Sequence, residues 1–116
     1  MSDPEKTAKL CAAAAADKKA GDIVLLDMRG VSDFTDFFLV CSASSEPQLK
    51  AISSAIREKV REETGLQPLA ADGFPASQWI VIDYVDVICH LFLESKRSFY
   101  DLEGLWSDAR RVDLES

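Results

Sequence analysis

The run from Trp79 to Leu93, WIVIDYVDVICHLFL, limits the fold of this chain more than any other stretch. Its apolar residues suit a protein interior, yet Asp83, Asp86 and His90 interrupt them, and carboxylates are almost never fully buried unless paired. Two strands, Trp79 to Asp83 and Val87 to Leu93, resolve the conflict if Asp83, Tyr84, Val85 and Asp86 form the hairpin turn between them. The turn then carries the acids to the surface. On this reading Tyr84 stands exposed at a hairpin tip, a setting that suits a hot-spot anchor for a basic partner.

The rest of the chain supplies the layers around that hairpin. Asp3 as N-cap and Pro4 as first helical residue open a helix over residues 4–19, ended by Gly21. Its alanines allow close packing but bury little area, which makes it the least firmly held element. The segments 22–28 (with IVLLDM) and 36–41 (DFFLVC) predict two strands, and the short connection RGVSDFT makes them antiparallel neighbours. Ser45 to Gln48 is a capping-box pattern, followed by an apolar stripe of Leu49, Ile52, Ile56 and Val60 and a stop at Gly65. Leu66 to Ala70 predicts a short strand, with a turn at Asp72-Gly73 and Pro75. Phe99, Leu102 and Trp106 recur at helical spacing within a last helix over Arg97 to Trp106, leaving 107–116 as a polar, frayed tail. The order α, two strands, α, three strands, α gives an α/β (α+β) class: one domain over residues 1–116, with helices flanking a mixed or mostly antiparallel sheet of about five strands.

A chain of 116 residues is long enough for one core. With 13 Lys and Arg against 20 Asp and Glu, the net charge of −7 disfavours direct nucleic-acid binding and favours a basic protein partner. Three widely spaced cysteines, Cys11, Cys41 and Cys89, form no CxxC pair and fit a reducing cytoplasm. No apolar run reaches the ~18 residues of a membrane span, and the N-terminal segment has no signal-peptide pattern, so neither a membrane nor an export role is expected.

Catalytic signatures are scarce. His90 is the single histidine, and no GxSxG, GxGxxG or GxxxxGK[ST] motif occurs, so no cofactor is expected. Cys89 and His90 are adjacent, but neighbouring strand residues point to opposite faces and would not share a metal ion. Asp83 with Asp86 could hold a magnesium ion, as could Asp33 with Asp36, although turn chemistry is the stronger reading for both pairs. Trp79, Phe92, Tyr100 and Trp106 read as mostly core.

Four ordered segments carry a family resemblance: DIVLLDMRGVSDFTDFFLVCS (22–42), QLKAI (48–52), WIVIDYVDVICHLF (79–92) and RSFYDLEGLW (97–106). Together they resemble the ribosomal silencing factor, or Iojap-related, family. The resemblance implies a nucleotidyltransferase-like fold without known catalysis. It also implies binding to the large ribosomal subunit through ribosomal protein fourteen, which blocks the small subunit when nutrients are scarce. Carried over by motif position, the contact surface centres on Trp79, Asp83, Tyr84, Asp86 and His90, with Arg97 and Tyr100 as additions. A homodimer is compatible with the resemblance. Two departures stand out: Val85 where many members have Gly, and Ala43 in a segment where many also have one, so local loop shapes differ. The rival is a magnesium-dependent nucleotidyltransferase, but such enzymes present a Gly-Ser turn and two acids one residue apart, whereas this chain offers D-x-x-D. A dimeric regulatory module unrelated to ribosomes also fits the composition.

Overall fold

Seven consecutive buried residues, Phe37–Ala43, form strand β2 and the axis of the sheet. A strand buried along its whole length must be covered on both faces, and β2 also pairs on both edges. On one side it lies antiparallel to β1 (Gly21–Asp27), and on the other parallel to β5 (Val87–Leu93), in a continuous register from Phe37 opposite Val87 to Ala43 opposite Leu93. Beyond β5 come β4 (Trp79–Asp83) and β3 (Ala70–Phe74), both antiparallel to their neighbours, while β6 (Arg110–Val112) borders β1. The order is β3-β4-β5-β2-β1-β6, a mixed sheet of six strands among the described residues. The computed structural model describes residues 3–74 and 78–114, and within these the side chains of 72–74, 98–100 and 102 are left aside.

Helices α1 (Pro4–Asp17) and α2 (Glu46–Thr64) cover one face of this sheet. Leu49, Ile52, Ile56 and Val60 of α2 are all buried there, against Leu25, Leu39, Cys41, Ile82, Cys89 and Leu91. Burial of such side chains contributes roughly 1.5–3 kcal/mol each. The small residues Ala8, Cys11, Ala12, Ala14 and Ala15 of α1 are buried in the same layer, so its contribution comes from close approach rather than bulk. Cys11, Cys41 and Cys89 meet in this core. Burial pushes the Cys41 thiol up to about 12, and contact with Cys11 followed by burial raises Cys89, so both stay protonated.

The expected boundaries hold for several elements and fail for others. Asp3 caps α1 through the amide of Lys6, and Gly65 ends α2 in the left-handed region at φ 78°. Gly21, however, is the first residue of β1; α1 ends at Asp17, with Lys19 at φ 62°. The capping box is only half formed. Ser45 Oγ accepts from the Gln48 amide, but the Gln48 side chain accepts from Ser44 and donates to the carbonyls of Lys18 and Lys19. Gln48 thus ties the start of α2 to the end of α1. Asp72 and Gly73 lie inside β3, where a turn was expected, and the strand placed at 66–70 begins only at Ala70; Pro75 falls outside the described residues. The single last helix is two, α3 (Glu94–Tyr100) and α4 (Leu102–Leu105), divided by Asp101 at φ 42°.

The C-terminal tail is not frayed through 110–112. Strand β6 is fastened by Asp27, whose carboxylate accepts from Arg110 Nη2 at 2.9 Å and from the backbone and guanidinium of Arg29. Its hydrogen bonds with Arg29, reinforced by Arg110, hold the Asp27 carboxyl well below the usual carboxylate range despite burial. The carboxylate therefore binds a proton less readily folded than unfolded, so its stabilisation is complete above about pH 4 and is lost as pH falls further. Asp27→Asn should cost about 1–2 kcal/mol at neutral pH, a modest loss because both arginines are half exposed and screened. Urea melts should show the difference shrinking below pH 4. An unchanged gap at pH 3 would show that the charge contributes nothing.

Candidate functional site

The other face of the sheet differs in kind from the aliphatic one under α1 and α2. Strand alternation places Val24, Leu26, Phe38, Val40, Trp79, Val81, Asp83, Ile88, His90 and Phe92 there. Near β1 the face is closed by Ala109 and the partly buried Trp106, which pack with Leu26, Met28 and Phe38. At the far end Arg97 closes it. Its guanidinium makes a two-pronged bond to Glu103 and donates to Ser42 Oγ and the Gly21 carbonyl. Arg97, taken from the sequence as a contact residue, is thus a clamp between α3 and the ends of β1 and β2.

Between those closures lies an aromatic surface. Phe34, 57% exposed, packs against Phe38 and Trp106 at ring-centre distances of 6.0 and 6.3 Å. Phe38 meets His90 edge-on at 4.7 Å, and Trp79 stacks on Phe92 at 5.2 Å. The Trp79 indole N–H donates to His90 Nδ1 at 3.3 Å. His90 is buried, and desolvation, opposed by the Asp83 charge, lowers its pKa to about 4, so the ring is neutral at physiological pH. Cys89 points into the opposite core, as strand alternation requires.

The acids gather at one end of this face. The Asp86 carbonyl accepts from the amides of Asp36 and Phe37, which brings the loop containing Asp33 and Asp36 against the turn containing Asp83 and Asp86. Asp83 Oδ1 accepts from the Val85 amide at 2.7 Å, the local turn chemistry expected of it. Among the described residues no three His, Cys, Asp or Glu side chains converge as a metal site. A groove of about 580 Å³ lies elsewhere, between α1 and the C-terminal segment, lined by Lys9, Ala13, Ile23 and Leu114.

Tyr84 reverses its expectation. It is 8% exposed and belongs to the core under the helices, because the alternation Ile80, Ile82, Tyr84 continues through the start of the turn. Its hydroxyl is buried without a hydrogen-bond partner, and desolvation raises its pKa. The exposed tip residue is Val85, at 52%. It adopts φ 74°, and the Asp86 amide donates to the Tyr84 carbonyl around it, closing a γ-turn of the rarer, positive-φ form. The side chain of Tyr100 lies outside the described residues.

Two substitutions test this turn. Val85→Gly should raise stability by roughly 1 kcal/mol, since relief of a 1–3 kcal/mol strain exceeds the entropy cost of glycine. Tyr84→Phe should be neutral or stabilising, because it removes a polar group that has no partner. Thermal melts decide both, and a marked loss of stability in Tyr84→Phe would mean the hydroxyl is bonded in solution.

With this geometry in hand, the chain can be set beside known proteins. A family model described as "Ribosomal silencing factor during starvation" matches residues 1–116. The Bacillus subtilis protein named ribosomal silencing factor RsfS is 42% identical over 107 residues, covering 92% of this chain and 90% of the relative. An Arabidopsis thaliana chloroplast protein named Iojap is 36% identical over 86% of this chain and 41% of its own greater length. A crystal structure of a Bacillus halodurans protein superposes with a TM-score of 0.81 at 35% identity, over 95% of this chain and 99% of that one. A whole-chain match joined to close relatives of nearly equal length and the same fold admits one conclusion: the chain belongs to the ribosomal silencing factor family.

Proposed function

We propose that this protein is a non-catalytic silencing factor. It binds the large ribosomal subunit through ribosomal protein fourteen, blocks joining of the small subunit and so represses translation in the cytoplasm when nutrients are limiting. The observation that carries the reading is an aromatic face with acids at one end: Trp79 is partly exposed, Phe34 is largely exposed next to Asp33, and Asp83 and Asp86 lie at the turn end of the same face. Aromatic anchors beside acids suit a basic protein surface, whereas phosphate-rich RNA would be repelled by a chain of net charge −7. Membership of the family and the name of the Bacillus subtilis relative support the same role.

Trp79, Asp83 and Asp86 form the contact on this reading, with His90 beneath them. Tyr84 and Arg97 act from inside, through the core and the clamp. The mechanism is steric and needs no cofactor: a body of about 35 × 32 × 28 Å occupies a surface that the small subunit also needs. Binding and joining then exclude each other, and linkage makes the exclusion reciprocal.

Purified chain should co-sediment with large subunits, and light scattering should show joining suppressed when large subunits are saturated with it. Trp79→Ala should weaken binding by at least about tenfold if the indole is an anchor. Added salt should slow association through the screening of Asp83 and Asp86. Joining at full extent with bound chain would overturn the mechanism. Nucleoside triphosphate turnover with magnesium, abolished by Asp83→Ala with Asp86→Ala, would place the chain among enzymes instead.

A further inference from the structure

His90 poses a problem that packing alone does not solve. The ring sits 8% exposed among Phe38, Trp79 and Phe92, a slot that an apolar residue of similar shape would fill. Its Nδ1 accepts the Trp79 indole N–H, so the neutral imidazole carries its proton on Nε2. That Nε2–H is buried and has no acceptor, a cost that an apolar residue would avoid. What a histidine supplies there, and a phenylalanine or leucine does not, is the acceptor at Nδ1.

The consequence falls on Trp79. It begins β4 directly opposite Phe92, while Val81 is opposite His90, so the Trp79–His90 contact is a diagonal one across the two strands. Stacking on Phe92 at 25° sets the plane of the indole, but stacking alone allows the ring to turn or slide within that plane. A hydrogen bond to Nδ1 adds a direction that stacking does not supply, since the indole has one donor. The Phe92 and His90 rings lie within 10° of parallel, which makes one platform of the two.

Resting on the docking role proposed above, we infer that His90 is the positioning residue of the docking face, using Nδ1 to hold the partly exposed Trp79 indole in one orientation so that it meets the partner preorganised. Preorganisation raises affinity by removing the ordering cost that a mobile side chain meets on binding. His90 itself makes no contact with the partner, because its ring is covered.

Three substitutions separate this role from packing. In His90→Asn the side-chain oxygen can occupy the place of Nδ1; in His90→Gln the amide reaches the place of Nε2; His90→Phe keeps the ring and loses both nitrogens. Each is read by the indole N–H resonances of the two tryptophans, assigned by the loss of one in Trp106→Phe, and by co-sedimentation with purified large subunits. His90→Asn should keep the Trp79 resonance shifted by hydrogen bonding and bind within about threefold of wild type, whereas His90→Phe and His90→Gln should lose that shift and bind about tenfold more weakly while remaining folded. His90→Leu replaces the Phe variant if its ring unfolds the chain. An unchanged Trp79 resonance in the apolar variant, or wild-type affinity despite a lost shift, overturns the inference while leaving the docking role standing. A wild-type chain that does not sediment with large subunits overturns the docking role, and the indole resonance still decides whether His90 holds Trp79.

Discussion

The parallel pairing of β2 with β5 is the constraint on which the rest of the molecule depends. Each of these strands belongs to a separate antiparallel unit, β1–β2 on one side and β3–β4–β5 on the other, and among the described residues no other strand pair joins the two. Parallel neighbours cannot be linked by a tight turn, so the chain must cross over between them. The crossover is α2 followed by β3 and β4, and α2 lands on the sheet as the main cover of the aliphatic core. The Asp86 carbonyl, accepting from both Asp36 and Phe37, starts the register at the seam, and that same contact draws the two acidic loops together. The acidic end of the aromatic face is therefore a by-product of the central pairing.

Where local chemistry decides, the sequence was legible. The stripe and stop of α2, the Asp3 cap and the two strands of the Trp79–Leu93 hairpin all stand as read, because a period or a cap residue specifies each. Tyr84 was misplaced for an instructive reason: composition says that a residue between two acids is exposed, whereas the alternation from Ile80 through Ile82 already aimed it at the core. Alternation was the better guide, since strand geometry persists until a dihedral breaks it, and here the break comes one residue later, at Val85. Strand β6 was invisible because a three-residue edge strand with two exposed arginines has no apolar pattern, and only the distant partner Asp27 specifies it. The role of Gln48 was similarly hidden. Its acceptors lie 29 and 30 residues away, beyond what a capping motif can report.

The two faces of the sheet differ in the kind of order they require. The helix-covered face is aliphatic, with leucine, isoleucine and small residues that fill space without direction, and the raised thiols of Cys41 and Cys89 stay protonated. The opposite face is aromatic, and its contacts carry direction: edge-on between Phe38 and His90, stacked between Trp79 and Phe92, hydrogen-bonded between Trp79 and His90. An interior needs only to exclude water, whereas a surface that meets a partner must hold its shape before the partner arrives.

That shape is held from the edges as well as from below. Arg97 is fully engaged by Glu103, Ser42 and the Gly21 carbonyl, so α3 is pinned at the end of the face opposite the acids. On the β1 side, Asp27 binds Arg110 and keeps β6 in place, and the turn that leads into β6 carries Trp106 and Ala109 onto Leu26, Met28 and Phe38. Both closures use a charged pair whose carboxylate is largely buried. What lies between them is the stretch of sheet that carries Trp79, His90 and Phe38, where Trp79 is partly exposed and the other two are buried. Under the function proposed above, a substitution in either clamp would alter the docking face by moving its borders while leaving its aromatic residues unchanged.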